Sequence, residues 1–173
     1  MRLAKMTTIL MFGAADMLAA DAHTRQILVS IPDRKLVLLE DGKVKRIFDV
    51  AVGKDSTPSP VGSFQIASLV KNPTWYGPKG VVVPPGKANP LGTRWMGLGY
   101  KGYGIHGTSA PNSIGKAASH GCIRMRTKEA EELFKLVEKG DTVELLGERT
   151  EQIAQILDAP AVVTAAESTG GGQ

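Results

Sequence analysis

The sequence predicts a mainly β fold, a strand-rich α+β arrangement with a small helical element near the C-terminus. Three observations carry this. Short runs of Val, Ile and Leu recur at strand length and are separated by turn residues. Twenty glycines and ten prolines in 173 residues punctuate the chain too often for a helical bundle. A strong helical period appears in only one segment, near the C-terminus. The length suits one domain around a single core, since domains hold roughly 100 to 200 residues.

Taken in order, residues 1–22 begin with the positive Arg2 and Lys5, run through a mostly apolar stretch interrupted by Asp16, and end in the small residues around Ala20 and Ala22. That order is the order of a secretory signal peptide, with cleavage expected after Ala22. Residues 25–31 and 35–40 read as strands, and Asp41-Gly42 joins the second to a strand over 44–52, because Asp-Gly suits the tight turn of a hairpin. A turn-rich loop over 53–60 precedes a strand over 61–67. Between residues 72 and 92 the prolines at 73, 78, 84, 85 and 90 break any long element, which leaves a loop region with a short strand at 81–83 and the makings of a groove wall. Ala130, Leu133, Phe134 and Val137 share one face of a helix over 127–139. Thr127 is its expected cap, Glu129 and Glu131 favour its positive end, and Gly140 is its expected stop. Residues 141–146 read as a last strand, and a weaker helix is expected over 148–157. Residues 168–173 hold nothing that builds a core and are expected to be disordered. The chain therefore divides into a signal peptide (1–22), a globular unit (23–147) and a C-terminal helix and tail (148–173).

With 42% hydrophobic and 22% charged residues, the composition is that of an ordinary globular protein. Beyond the leader no stretch reaches the roughly 20 apolar residues that span a bilayer, so no stable membrane insertion of the mature chain is expected. Loss of residues 1–22 removes Arg2 and Lys5 together with Asp16 and Asp21, which leaves the net charge of +4 unchanged. No dense Lys/Arg cluster interleaved with aromatics accompanies it, so nucleic acid is not an expected partner. Nothing in the sequence predicts an oligomer. One cysteine excludes an internal disulfide, and an exported lone thiol must be buried, capped or used.

The scarce reactive groups cluster. With His23 set aside, His106, His120 and Cys122 fall within seventeen residues. A free thiol has a pKa of about 8.5 and is mostly protonated at neutral pH. An adjacent imidazole takes its proton, pairs with the thiolate and later protonates a leaving group. Gly104, Gly107, Gly115 and Gly121 allow close backbone approach and the turning of N–H groups toward an oxyanion. Side chains alone leave three readings open: a cysteine nucleophile, a zinc site built from His106, His120 and Cys122, and a glycine-rich loop with an incidental thiol.

Ser119-His120-Gly121-Cys122, followed by Ile123 and Arg124 and preceded by His106, resembles the active-site signature of the L,D-transpeptidase catalytic domain family. Residues 103–108, 113–115, 57–64 and 89–95 extend the likeness, which covers residues 25–146. The resemblance implies a curled sheet or sandwich with a groove beneath a mobile flap, residues 72–100 contributing to groove or flap. It implies an exported enzyme of the periplasm or cell envelope that acts on peptidoglycan stem peptides, needs no cofactor or metal, and is acylated by carbapenems. Cys122 is then the nucleophile that attacks the third-residue carbonyl of a tetrapeptide stem and releases D-alanine. His106 is the general acid/base, its other ring nitrogen held by a backbone carbonyl. His120 shapes the site, and with Gly121 and Cys122 offers backbone N–H groups to the oxyanion. Ser119 and Arg124 are candidate substrate-binding residues, Ser119 equally a turn residue, and Arg124 stands where some members carry asparagine. The acceptor is a neighbouring stem, a lipoprotein lysine or a free D-amino acid. Water in that role makes an L,D-carboxypeptidase. A non-catalytic wall-binding module and a zinc module are the competing classes.

Overall fold

Alternation of apolar side chains organises the first third of the chain. In the computed structural model, which describes residues 24–100 and 102–159, β1 (Arg25–Ser30), β2 (Lys35–Glu40) and β3 (Lys43–Asp49) form an antiparallel meander. Asp41 and Gly42 turn between β2 and β3 with φ of 51° and 73°, the left-handed pair that a two-residue hairpin demands. The expected leader, His23 and the expected disordered tail lie outside the described residues.

The strands then shorten. β4 (Val52–Gly53), β5 (Gly62–Gln65), β6 (Ser68–Lys71), β7 (Trp75–Tyr76) and β8 (Val82–Val83) lead to β9 (Arg94–Gly97), β10 (Gly104–His106), β11 (Ala117–Ser119) and β12 (Ile123–Arg124). Helix α1 (Thr127–Leu136), β13 (Thr142–Leu146) and helix α2 (Glu151–Asp158) complete the described chain. A five-stranded sheet has the order β3-β2-β1-β13-β5, with β1 and β13 parallel. A four-stranded sheet has the order β12-β10-β9-β6, with β10 and β12 parallel. Two small ladders, β11 with β4 and β7 with β8, flank these sheets.

One core lies between the two large sheets and α1. Ile27, Val29, Leu36, Leu38, Val143 and Leu145 of the first sheet join Met96, Ile105 and Ile123 of the second and Ala130 and Leu133 of α1. The opposite face of the first sheet, with Leu28, Val37 and Leu39, is covered by Ile153, Ile156 and Leu157 of α2. Thr150 caps α2 by accepting the Ile153 N–H at 3.3 Å. This helix thus packs on the main sheet although it begins beyond residue 147.

Pairing in the second sheet sets up the site. Leu69, Met96, Ile105 and Ile123 are register partners across its four strands, and so are Val70, Trp95, His106 and Arg124. Successive residues of a strand point to opposite faces. The first row enters the core, so the second row is turned away from it.

The helix over 127–139 is shorter than expected and differently capped. Thr127 is already helical, the cap is Arg126 without a side-chain bond, and the Thr127 hydroxyl donates to the Thr108 carbonyl at 3.3 Å instead. The helix ends at Leu136 because Val137 is extended and buried and the Asp141 carboxylate takes the Glu138 N–H at 2.7 Å. Among the described residues no helix is long and apolar enough to cross a membrane.

Candidate active site

The site begins with a turn. β11 delivers Ser119 and β12 receives Ile123, so His120, Gly121 and Cys122 form the reversal between two short strands. The buried Ser119 hydroxyl donates to the Cys122 carbonyl at 2.6 Å and accepts the Gly121 N–H at 3.0 Å. Both ends of the turn are therefore tied to one oxygen, the arrangement that lets serine hold a local turn. Gly121 has φ of 107°, and a Cβ there would stand 2.4 Å from Tyr103 Cε1 and 3.0 Å from the Pro58 carbonyl oxygen. Only glycine fits that conformation and that space.

The loop before β5 braces this turn. The Thr57 hydroxyl and the Lys54 N–H both donate to the Ser119 carbonyl at 3.2 Å, and the Ser59 hydroxyl accepts the Gly53 N–H at 2.9 Å. Thr57 and Ser59, at the start of the stretch 57–64, thus have a mechanical role in the site.

His106 is 3% exposed at the end of β10. Its Nδ1 meets the Gly107 carbonyl at 2.5 Å, so Nδ1 carries the proton and Nε2 is left with a free lone pair. This is the expected orientation by a backbone carbonyl. Trp95, its partner on β9, stacks against it with centroids 5.7 Å apart. Room for the indole comes from Gly104, where a Cβ would lie 2.7 Å from the ring. Burial lowers the His106 pKa from 6.5 to about 4, opposed by the Gly107 bond and assisted by the charge of Arg124.

Burial also pushes the Cys122 thiol upward, opposed by a backbone bond from Gly104 and by the charge of Arg124. The thiol lies 3.4 Å from the Gly102 carbonyl oxygen. Both reacting groups thus rest in their neutral forms, thiol and imidazole. The sequence suggested a standing ion pair, whereas desolvation here favours proton transfer during bond formation.

Two cavities meet at Cys122. One, of about 460 Å³, is lined by His106, Ser119, His120, Cys122 and Arg124 on one side and by Trp75, Pro78, Pro90 and Leu91 on the other. The second, of about 640 Å³, runs past Cys122 along Val70, Pro73, Trp75, Tyr76, Leu91 and Trp95. Neither lining contains an Asp or Glu. The Pro-rich segment forms the opposing wall, as expected. Its shape depends on the fully buried Asn89, whose Nδ2 donates toward the carbonyls of Pro73, Val83 and Pro84 while its Oδ1 accepts the Leu91 N–H.

The structure thus brings Cys122, His106, His120, Ser119 and Arg124 to one cavity. Gly121, expected to offer its N–H to an oxyanion, donates it to the Ser119 hydroxyl in this structure. The N–H groups of His120 and Cys122 have no such bond among the described residues. Ser119 likewise has its hydroxyl engaged within the turn. Among the described residues no group of three His, Cys, Asp or Glu side chains is placed to hold a metal ion, so the three zinc-ligand candidates are not assembled as one. Trp95 and Asn89 were not singled out by sequence reasoning. Their trace in the sequence is that they bound the stretch 89–95 that extends the family likeness.

Comparison with known proteins adds to this geometry. The profile of the L,D-transpeptidase catalytic domain family matches residues 24–145. YkuD of Bacillus subtilis, assigned as an L,D-transpeptidase, is 39% identical over 117 residues, covering 68% of this chain and 63% of its own length. The chain therefore spans less than two thirds of that relative. YqjB of the same organism, assigned likewise, is 37% identical over 122 residues, with 68% of each chain covered. The catalytic domain of the Enterococcus faecium L,D-transpeptidase, solved by NMR, superposes with a TM-score of 0.58 at 30% identity, covering 70% of this chain and 96% of that domain.

Proposed function

The chain belongs to the L,D-transpeptidase catalytic domain family, and on that premise we propose that Cys122 and His106 carry out acyl transfer from peptidoglycan stem peptides. The family is one of acyltransferases that act on those stems. One observation supports the assignment of roles above the others: the only thiol and a carbonyl-oriented histidine line the same cavity, at the floor of an open groove.

As the Cys122 sulfur attacks the third-residue carbonyl of a tetrapeptide stem, its proton passes to Nε2 of His106. The oxyanion receives the backbone N–H groups of His120 and Cys122, fixed by the Ser119 turn. His106 then hands its proton to the leaving amine, the C–N bond breaks, D-alanine departs and a thioester remains. An acceptor amine gives up a proton to His106, attacks the thioester and restores the thiol. A second stem as acceptor yields a 3-3 cross-link. A lipoprotein lysine or a free D-amino acid uses the same step, and water gives L,D-carboxypeptidase activity. The second cavity that reaches Cys122, walled by Val70, Trp75, Tyr76, Leu91 and Trp95, supports an amine acceptor over water, since it offers a second chain a seat. Residues 1–22 support export, with the periplasm or cell envelope as the working compartment.

Intact-mass measurement after exposure to a carbapenem tests the nucleophile. A stable adduct is expected on the wild type and none on Cys122→Ser, and an adduct on both proteins would refute the assignment. Incubation with a disaccharide tetrapeptide then separates the acceptors: cross-linked dimer is expected, and tripeptide alone would replace transpeptidation by hydrolysis.

A further inference from the structure

Arg124, like the exposed Arg34, differs from the ion-paired arginines among the described residues. Arg25, Arg46, Arg126 and Arg149 each meet a carboxylate within 3.1 Å, whereas the Arg124 side chain has neither an acidic partner nor a hydrogen bond among the described residues. It is half-buried, it lines the cavity that holds Cys122 and His106, and no acid lines that cavity. Its backbone is fixed on both sides, by an N–H and a carbonyl bond to Ala51 at 2.9 and 2.8 Å and by parallel pairing with His106. The guanidinium is a charge held without its own counterion and aimed into the site.

Register says where along the substrate that charge acts. His106 and Arg124 are partners on adjacent parallel strands, so their side chains leave the same face about 4.8 Å apart at the backbone. His106 must reach the nitrogen of the leaving residue in order to protonate it. In an amino acid the carboxyl carbon stands two bonds from that nitrogen, through N–Cα and Cα–C bonds of about 1.5 Å each. A cation one strand beyond the general acid therefore faces the carboxylate of the leaving residue. The opposite end of the same row is Trp95 and Val70, which offer no charge.

We infer that Arg124 is a specificity-determining residue that receives the free α-carboxylate of the leaving residue, so the enzyme selects stems that end one residue beyond the scissile bond. This rests on the stem-peptide reading above. In the step itself the S–C bond forms and the C–N bond breaks, the thiol proton travels through His106 to the departing nitrogen, and Arg124 exchanges no proton. A guanidinium binds carboxylate through two parallel N–H bonds, and a carboxamide in that place loses the charge and one acceptor. A stem extended by a further residue has no carboxylate at that distance.

The experiment compares two synthetic tetrapeptide stems that differ only in a C-terminal carboxylate or carboxamide. Thioester formation and release of alanine or alaninamide are followed by mass spectrometry for the wild type, Arg124→Met and Arg124→Lys. The wild type is expected to prefer the carboxylate by about 10- to 100-fold in kcat/KM, the factor a charged hydrogen-bonded pair supplies. In Arg124→Met that preference is expected to fall to about one through loss on the carboxylate peptide alone, and Arg124→Lys keeps part of it. A preference that survives in Arg124→Met, equal rates for the two peptides on the wild type, or an equal loss on both peptides in the variant would each overturn the inference. So would a third stem, amidated on the side chain of its third residue, if it alone became insensitive to residue 124. If the wild type forms no thioester with either peptide, the stem-peptide reading fails and takes this inference with it.

Discussion

Leu69, Met96, Ile105 and Ile123 cross the second sheet one residue away from Val70, Trp95, His106 and Arg124, and the two rows face opposite sides of it. The first row is wholly apolar and packs into the core. The second grades from an aliphatic side chain through an indole and an imidazole to a guanidinium, and lines the groove. The pairing that fixes one fixes the other, because a slip of one residue exchanges the faces of a strand. Burial of Ile105 and Ile123 thus aims His106 and Arg124, and the reactive row can hold costly groups because its neighbour holds the register.

The comparison breaks most plainly at His106. Replacing it by Gln is expected to lower acyl transfer by about 10²- to 10⁴-fold, the range for loss of a general acid/base, while the unfolding midpoint at pH 7 moves little. Steady-state kinetics paired with denaturant titration would detect the reverse pattern, which would place His106 with the core. On the other row, Ile105→Ala is expected to cost about 2–5 kcal/mol of stability, as cavity formation in a packed core does, and to leave the chemistry of the remaining folded protein intact. Loss of activity without loss of stability would erase the distinction between the rows.

A smaller effect sharpens it. With its pKa lowered from 6.5 to about 4, His106 binds no proton in the folded protein between those values, while the unfolded chain does. Stability due to this group is constant above pH 6.5 and declines as pH falls toward 4, by roughly 3 kcal/mol in all. Denaturant midpoints at pH 7 and pH 4.5 should therefore diverge more for the wild type than for His106→Gln, and equal divergence would mean the imidazole is not held neutral. The smallest effect lies farthest away: Thr150→Ala removes the cap of α2 and is expected to cost about 1 kcal/mol, with no change in acyl transfer.

How much of this was readable depends on strand length and partner distance. The β1–β2–β3 meander is plain in the sequence because its strands have six or seven residues and its turn is Asp41-Gly42. The site-bearing sheet is not. β9, β10 and β12 have four, three and two residues and hold glycine, arginine and tryptophan, and only the pairing of β9 with β10 is local. One or two apolar side chains per strand are too few for a period to show. Cys122, His106 and His120 were legible because they are scarce residue types in a fixed order. What could not be read was the use of a backbone N–H, since only coordinates show that Ser119 takes the one from Gly121. The early end of α1 was hidden likewise, being set by Asp141 from beyond the helix.

The parallel pairing of β1 with β13 has a bearing on how the molecule is made. Arg25 and Asp141, at the feet of these two strands, form an ion pair across 116 residues of chain. At a synthesis rate of roughly 5 to 20 residues per second, β1 waits on the order of ten seconds for that neighbour. β5 waits too, since β13 is its only partner in the sheet. The strand that joins β1 to β5 is therefore the last part of the large sheet to be supplied. A nascent or truncated chain that stops before residue 142 lacks the partner of both β1 and β5, so one side of β1 has no strand to pair with and β5 has no place in the large sheet.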